Sequence, residues 1–165
     1  MGVKRFVDAH PEMSKMTKGL MSRCPGANAQ YEAISRYPEL FTDIKAMVSP
    51  QPCSMDYPMK VFATAQGVGD FMDVLDEEQN RLGGFSNPDM TPHLFAPNVK
   101  IPTLVSQVHH DSWTIPDDVQ TTFDLLGSTE KELLWIEGTT RRFDGYNYFG
   151  QHPEKMLDWF AKYMK

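Results

Sequence analysis

Apolar residues along the chain follow two alternating rhythms. Short, nearly unbroken apolar runs at 18–22 (KGLMS), 44–48 (IKAMV), 101–108 (IPTLVSQV) and 132–137 (ELLWIE) predict strands. The third run has little polar interruption, as in a strand covered on both faces. Between the runs, apolar positions recur at helical spacing. Ala27, Tyr31 and Ile34 share a stripe over 27–37, which Pro38 ends. Phe71, Val74, Leu75 and Leu82 do the same over 70–82, before Gly83 and Gly84. Pro116 opens a helix reaching Leu126, with Asp117 and Asp118 near its positive end. A terminal helix over 153–164 carries Met156, Leu157, Phe160 and Met164 on one stripe. Val3, Phe6 and Val7 mark a short helix over 2–9. Loops are expected at 49–58 (SPQPCSMDYP) and at 85–100, which holds three prolines. The aromatic run 143–149 (FDGYNYF) also reads as loop, packed or lining a pocket.

Strands separated by long crossovers predict an α/β fold. The expected architecture is one domain over 1–165, with four parallel strands in sequence order and helices on the faces. In such a sheet the chemistry gathers at the carboxyl ends of the strands.

Composition narrows the classes. Of 165 residues, 41% are hydrophobic and 23% charged, which excludes wholesale disorder. No run approaches the roughly 20 apolar residues of a membrane span, so no membrane association is expected. The formal net charge of −6 speaks against a nucleic-acid partner. Two cysteines cannot build a disulfide framework, so free thiols in a cytoplasmic setting are expected. No cofactor is expected. No metal is expected either, because neighbouring His109 and His110 would point to opposite sides of a continuing strand.

Three segments lie at the predicted strand ends. Ser22-Arg23-Cys24-Pro25-Gly26 has the small–x–nucleophile–x–glycine spacing of a nucleophile elbow. Small residues suit that turn because strand and helix approach closely. A cysteine at a helix N-terminus favours the thiolate, and Arg23 could assist. The competing reading is a buried, inert cysteine. His109-His110-Asp111 follows the third strand, where an acid could orient a triad histidine. Past the fourth strand, where that histidine would be expected, stand Arg141 and Arg142. Arginine stays protonated and is no ordinary general base. The nearest histidine in sequence is His152, which reads equally as a helix-end residue.

The order of elbow, acid after IPTLVSQVHHD, and IEGTTRRFDGYNYFGQHPEKMLDWF resembles the C-terminal half of an α/β-hydrolase. The resemblance is closest to the dienelactone hydrolase and small-esterase branch, and it covers about residues 17 to 165. It implies a partial α/β-hydrolase fold whose N-terminal half is absent. It also implies Cys24 as nucleophile and Asp111 as acid. Arg142, or else Arg141, falls where the family has its histidine. One expected oxyanion donor is missing, because Pro25 follows the nucleophile and has no N–H.

The expectation is therefore a hydrolase of esters, thioesters or lactones, weak or inactive as this isolated chain. Cys24 would attack and Asp111 would orient a base, namely His152, His110 or a histidine of another chain. Arg142 and Arg141 would bind a substrate carboxylate. A non-catalytic binding or oligomerisation module is the alternative, and a redox or ligand-sensing thiol protein a third. With nothing but about 15 residues ahead of the first strand, one strand edge should be left open. That predicts a homo-oligomer, first of all a dimer joined near residues 1–35.

Overall fold

The computed structural model describes residues 2–54 and 63–165. Four strands form one sheet: β1 (Lys18–Met21), β2 (Ile44–Pro50), β3 (Thr103–Val108) and β4 (Lys131–Ile136). All three pairings are parallel, and the spatial order is the sequence order. Among the described residues six longer helices surround the sheet: α1 (Gly2–Ala9), α2 (Pro25–Arg36), α3 (Gly69–Gly83), α4 (Pro116–Leu125), α5 (Arg142–Gln151) and α6 (Glu154–Tyr163).

Alternation along the strands divides the core in two. Met47 and Val105 face Tyr31, Ile34, Phe95 and Val119, on the side of α2 and α4. Their neighbours Ala46, Val48 and Leu104 face Phe149 and Trp159, on the side of α5 and α6. Every residue of β3 is buried, and in β2 only Lys45 is exposed. Each large apolar side chain so buried contributes about 1.5–3 kcal/mol. Both neighbours of each strand are thus fixed, and its carboxyl end is held in place.

Three expectations change. β2 runs on through Ser49 and Pro50, which pair with Val105 and Ser106, so the expected loop starts later. Residues 55–58 of that loop lie outside the described residues. The 85–100 segment is not merely irregular. It makes short helical turns at Pro88–Met90, Pro92–Phe95 and Ala96–Asn98, and Phe95 and Ala96 enter the core. The aromatic run 143–149 is helix, not loop, and forms most of α5. The apolar pattern hides this helix because only Gly145 and Phe149, one turn apart, are buried.

The chain ahead of β1 folds back beside the sheet edge. Asp43 accepts hydrogen bonds from Lys4 (3.2 Å) on α1 and from Lys18 (2.8 Å) on β1, which ties the helix there. A cleft of about 570 Å³ remains between them, lined by Val3, Val7, Met16, Gly19, Leu20 and Ala33. Among the described residues no helix is long and apolar enough to cross a membrane.

Gly145 sets how closely α5 approaches the sheet. A Cβ there would lie 1.5 Å from the side-chain amide of Gln51 and 3.0 Å from Val108 Cγ2. Gln51 is fully buried and has no room to retreat. Gly150, one and a half turns further on, would meet nothing within 4 Å. Gly145→Ala is therefore expected to destabilise the protein by about 1–3 kcal/mol in chemical denaturation. Gly150→Ala should be neutral or stabilising by up to about 1 kcal/mol, through its gain in helix propensity.

Candidate active site

Cys24 caps the N-terminus of α2 with φ +54° and ψ −124°, a conformation that costs a residue with a Cβ about 1–3 kcal/mol. The ladder enforces it: Cys24 N–H donates to Pro50 O at 3.0 Å, three residues past the end of β1. Pro25 occupies the first turn of α2, and a Cβ at Gly26 would lie only 3.2 Å from Ser22 Cβ. Ser22 Oγ donates to Gly26 O at 2.7 Å and closes the turn. This is the sharp strand-to-helix elbow expected at residues 22–26. It presents the Cys24 sulfur to a cavity of about 430 Å³, lined also by Cys53, Trp113, Arg141, Phe143 and Tyr146.

Arg142, the first residue of α5, joins the strand ends. Its Nη1 donates to Asp111 Oδ2 at 2.6 Å, and its Nε donates to the Tyr146 hydroxyl at 2.6 Å. Its Nη2 faces three acceptors: Cys24 Sγ (3.2 Å), Gln51 O (3.2 Å) and Cys53 Sγ (3.4 Å). The Asp111 side chain is fully buried and that of Arg142 nearly so. Asp111 is itself held by Gln107 Nε2 (3.0 Å) and Trp113 N–H (2.8 Å). With its amide oxygen accepting from Val108 N–H (3.1 Å), Gln51 turns its amide nitrogen to Asp111 Oδ2 (3.2 Å). Gln51 has φ +58° and is, with Cys24, one of two non-glycine residues with positive φ among the described residues.

Cys53 is pinned from both sides. Its carbonyl accepts from Asn28 Nδ2 on α2 at 2.6 Å. The next residue, Ser54, donates its N–H (3.0 Å) and hydroxyl (2.5 Å) to Asp118 on α4. Burial raises the Asp118 pKa, but hydrogen bonds from His93 and Ser54 outweigh it and hold the carboxyl below its usual range.

The electrostatics follow. A hydrogen bond from the Cys53 thiol, assisted by Tyr146 and by the Arg142 hydrogen bond and charge, lowers Cys24 to about 5 against the opposing effect of burial. Sharing that bond with Cys24, together with burial, pushes the Cys53 thiol up. Burial and its bond to the Cys24 sulfur raise Tyr146 to about 12, so its hydroxyl stays a donor. Burial alone would lower Arg142, but the charges and hydrogen bonds of Cys53, Cys24 and Asp111 raise it. The shared hydrogen bond thus favours the thiolate at Cys24 and the thiol at Cys53.

The expected residues are distributed as follows. Cys24, Asp111 and Arg142 are brought together. Arg141 lines the cavity as the residue capping α5. Within the protein Arg142 donates to Asp111, Tyr146, Gln51 and the two sulfurs. His152 is not brought to the sulfur. It ends α5, roughly 15 Å along the helix from Arg142 at a 1.5 Å rise per residue, and its ring packs tilted against Tyr148, centroids 4.9 Å apart. Arg23 turns away from the sulfur, its Nη1 donating to Tyr146 O at 2.8 Å. His109 and His110 do not point to opposite sides. β3 ends at Val108, the turn that follows stacks their rings 4.6 Å apart, and with Glu137 they make a group with metal-ligand atoms within 4.8 Å of one another.

In the first turn of α2, Pro25 has no N–H. The Gly26 N–H goes to Arg23 O, and those of Ala27 and Asn28 go to Cys24 O. None is left to face the sulfur as an oxyanion donor. Sequence reasoning missed Cys53, Tyr146 and Gln51. Cys53 stands five residues past the predicted end of the second strand, and only the continuation of β2 to Pro50 puts both cysteines three residues past adjacent parallel strands.

No family model and no curated protein sequence matches this chain. Solved structures do. Dienelactone hydrolase from Anabaena variabilis matches with a TM-score of 0.62 at 17% identity, over 99% of this chain and 57% of that one. An esterase of Pyrococcus furiosus matches with a TM-score of 0.66 at 15% identity, over 99% of this chain and 60% of that one. Monoacylglycerol lipase of Paleococcus ferrophilus gives 0.61 at 16%, over 97% and 74%. The parallel sheet with helices on both faces is thus a partial α/β-hydrolase fold, and the chain spans about three fifths of the first two proteins' length.

Thiolate reactivity should track these contacts. The alkylation rate of Cys24 is expected to rise with pH through a midpoint near 5 and to be flat from pH 7 upward. In Arg142→Met the midpoint should move toward the ordinary thiol value of about 8.5. Stopped alkylation followed by peptide mass mapping measures both.

Proposed function

We propose that this chain is a hydrolase-type acyl acceptor, in which Cys24 takes the acyl group of a small ester, thioester or lactone and releases it slowly to water. The observation that supports this best is the position of Arg142, bridging the Asp111 carboxylate and the Cys24 sulfur where a triad would hold histidine. Asp111 orients the guanidinium, and the guanidinium and the Tyr146 hydroxyl hold the thiolate.

The chemistry follows from what arginine does and does not do. The thiolate attacks the carbonyl carbon without needing a base. Negative charge then leaves the sulfur for the carbonyl oxygen. Arg142 Nη2 and the Tyr146 hydroxyl, already hydrogen-bonded to the sulfur, are the nearest donors to it. With no oxyanion N–H after Cys24, this step loses about 100- to 1000-fold against a complete site. No histidine protonates the leaving group, so substrates whose leaving group is stable as an anion are favoured: a thiolate, an aryl oxide or the enolate of an enol lactone. Arg141, at the cavity wall, suits an acidic substituent on the substrate. Release is slow because arginine does not accept a proton from water.

With 4-nitrophenyl acetate we expect a burst of about one equivalent of nitrophenolate and an acetyl group on Cys24, then slow turnover. Cys24→Ala should abolish the burst. A burst unchanged in that variant, or fast turnover with no acyl-enzyme, overturns the reading.

The cleft along β1 favours a second reading, a non-catalytic module in which two copies meet at this edge. One side of β1 carries ladder groups that no strand in the described chain takes up, beside Leu20 and the exposed Met21. Sedimentation equilibrium should then show a dimer whose population falls with dilution. A monomer throughout the concentration range would exclude it.

A further inference from the structure

The site holds a group that acyl transfer does not require: a second sulfur. Cys53 Sγ lies 3.4 Å from the same Arg142 nitrogen that lies 3.2 Å from Cys24 Sγ, so both sulfurs flank one guanidinium N–H. Their surroundings differ. Cys24 is half-buried and opens on the cavity, whereas Cys53 is buried beneath it. Both backbones are anchored, Cys24 through the elbow and Cys53 through Asn28 and the Ser54–Asp118 bonds. Two thiols so placed have unequal access and share one donor, and a disulfide between them requires the sulfurs to meet at about 2.05 Å.

We propose that Cys24 and Cys53 form a reversible dithiol–disulfide couple that reduces small hydroperoxides, with Cys24 as the attacking and Cys53 as the resolving cysteine. The Cys24 thiolate attacks the terminal oxygen of the hydroperoxide and the O–O bond breaks. Cys24 becomes a sulfenic acid, and the alkoxide leaves as the alcohol after taking a proton from solvent. Arg142 and Tyr146 are the donors nearest the departing oxygen. The Cys53 sulfur then attacks the sulfenic sulfur. Its proton leaves with the hydroxyl as water, and the Cys24–Cys53 disulfide forms. In sum, two thiols and one hydroperoxide give a disulfide, one alcohol and one water. A dithiol reductant returns both thiols by exchange.

This inference does not depend on acyl transfer. The oxidised form would, however, lack the nucleophile, so peroxide would silence the acyl chemistry until a thiol restored it. The order of events is set by access. A reagent in the cavity reaches Cys24 first, and Cys53 meets only what Cys24 has become.

The test treats the reduced full chain with one to two equivalents of hydrogen peroxide or tert-butyl hydroperoxide. The reaction is quenched in acid, alkylated and mapped by mass. The expected product is an intramolecular peptide pair joining Cys24 and Cys53, lost on treatment with dithiothreitol. In Cys53→Ser, with circular dichroism confirming the fold, Cys24 should pass instead to sulfinic acid. In Cys24→Ser, Cys53 should stay reduced over at least about tenfold longer exposure. Wild-type Cys24 reaching sulfinic acid as fast as in Cys53→Ser would overturn the proposal, and so would disulfides only between molecules. The readout is thiol state alone, so its failure leaves the acyl reading untouched, and a missing nitrophenolate burst leaves this one untouched.

Discussion

A single guanidinium, that of Arg142, holds the functional end of this molecule together. It is nearly buried and meets the carboxylate of β3's end, the backbone of β2's end, the sulfur that follows β2 and the sulfur that caps α2. A cation out of water is tolerable only when its N–H groups are matched and its charge is balanced. Removing one partner of such a pair leaves an uncompensated buried charge, at a cost of about 3–5 kcal/mol. The surrounding structure reads as what this cation demands. Gly145 lets α5 come close enough to deliver it, and Gln51, Gln107 and Trp113 fix the carboxylate that receives it.

The same end of the sheet concentrates the backbone strain. Cys24 and Gln51, both with positive φ, follow the adjacent strands β1 and β2. Each is held by a ladder bond carried past its strand: Cys24 N–H to Pro50 O, and Gln51 N–H to Ser106 O at 2.7 Å. The two strained turns aim a sulfur and a carbonyl oxygen at one arginine nitrogen. Strain of this kind persists where packing over-determines it, and here the buried strands β2 and β3 supply that packing.

The legible part of this protein was the part built from repetition. Apolar runs marked β2 and β3, prolines opened α4 and stood at the start of α6, and the stripe of Ala27, Tyr31 and Ile34 placed α2, because burial imposes a period. Helix α5 escaped because its contact with the sheet rests on a glycine and one phenylalanine, which make no stripe. Asp111 and Arg142 were recognisable from their places after strands, and their meeting with Cys24 follows from the parallel topology. Cys53 was harder. Its nearness to Cys24 is a matter of register between β1 and β2, and local pattern carries no register. The stacked His109 and His110 were misjudged for a related reason: alternation of faces ends where the strand ends, one residue before them.

The lowered pKa of Cys24, held down by the Cys53 hydrogen bond, Tyr146 and Arg142, changes what the sulfur is suited to. Full ionisation at pH 7 gains about thirtyfold over an ordinary thiol with a pKa near 8.5. The accompanying fall in basicity, at a Brønsted slope of about 0.45, loses about the same factor in nucleophilicity. Attack is therefore no faster at neutral pH, and the arginine is not explained by rate of attack. Its effect falls on departure. A sulfur of low pKa is a good leaving group, so bonds made to Cys24 are easily broken again. A thioester on Cys24 would be more electrophilic than an ordinary one. A proton-shuttling histidine drives bond cleavage by water. A fixed cation beside the sulfur makes each covalent state of Cys24 a temporary one, waiting on an external nucleophile. That property would serve either proposed chemistry, because both need a sulfur that accepts a group and then gives it up.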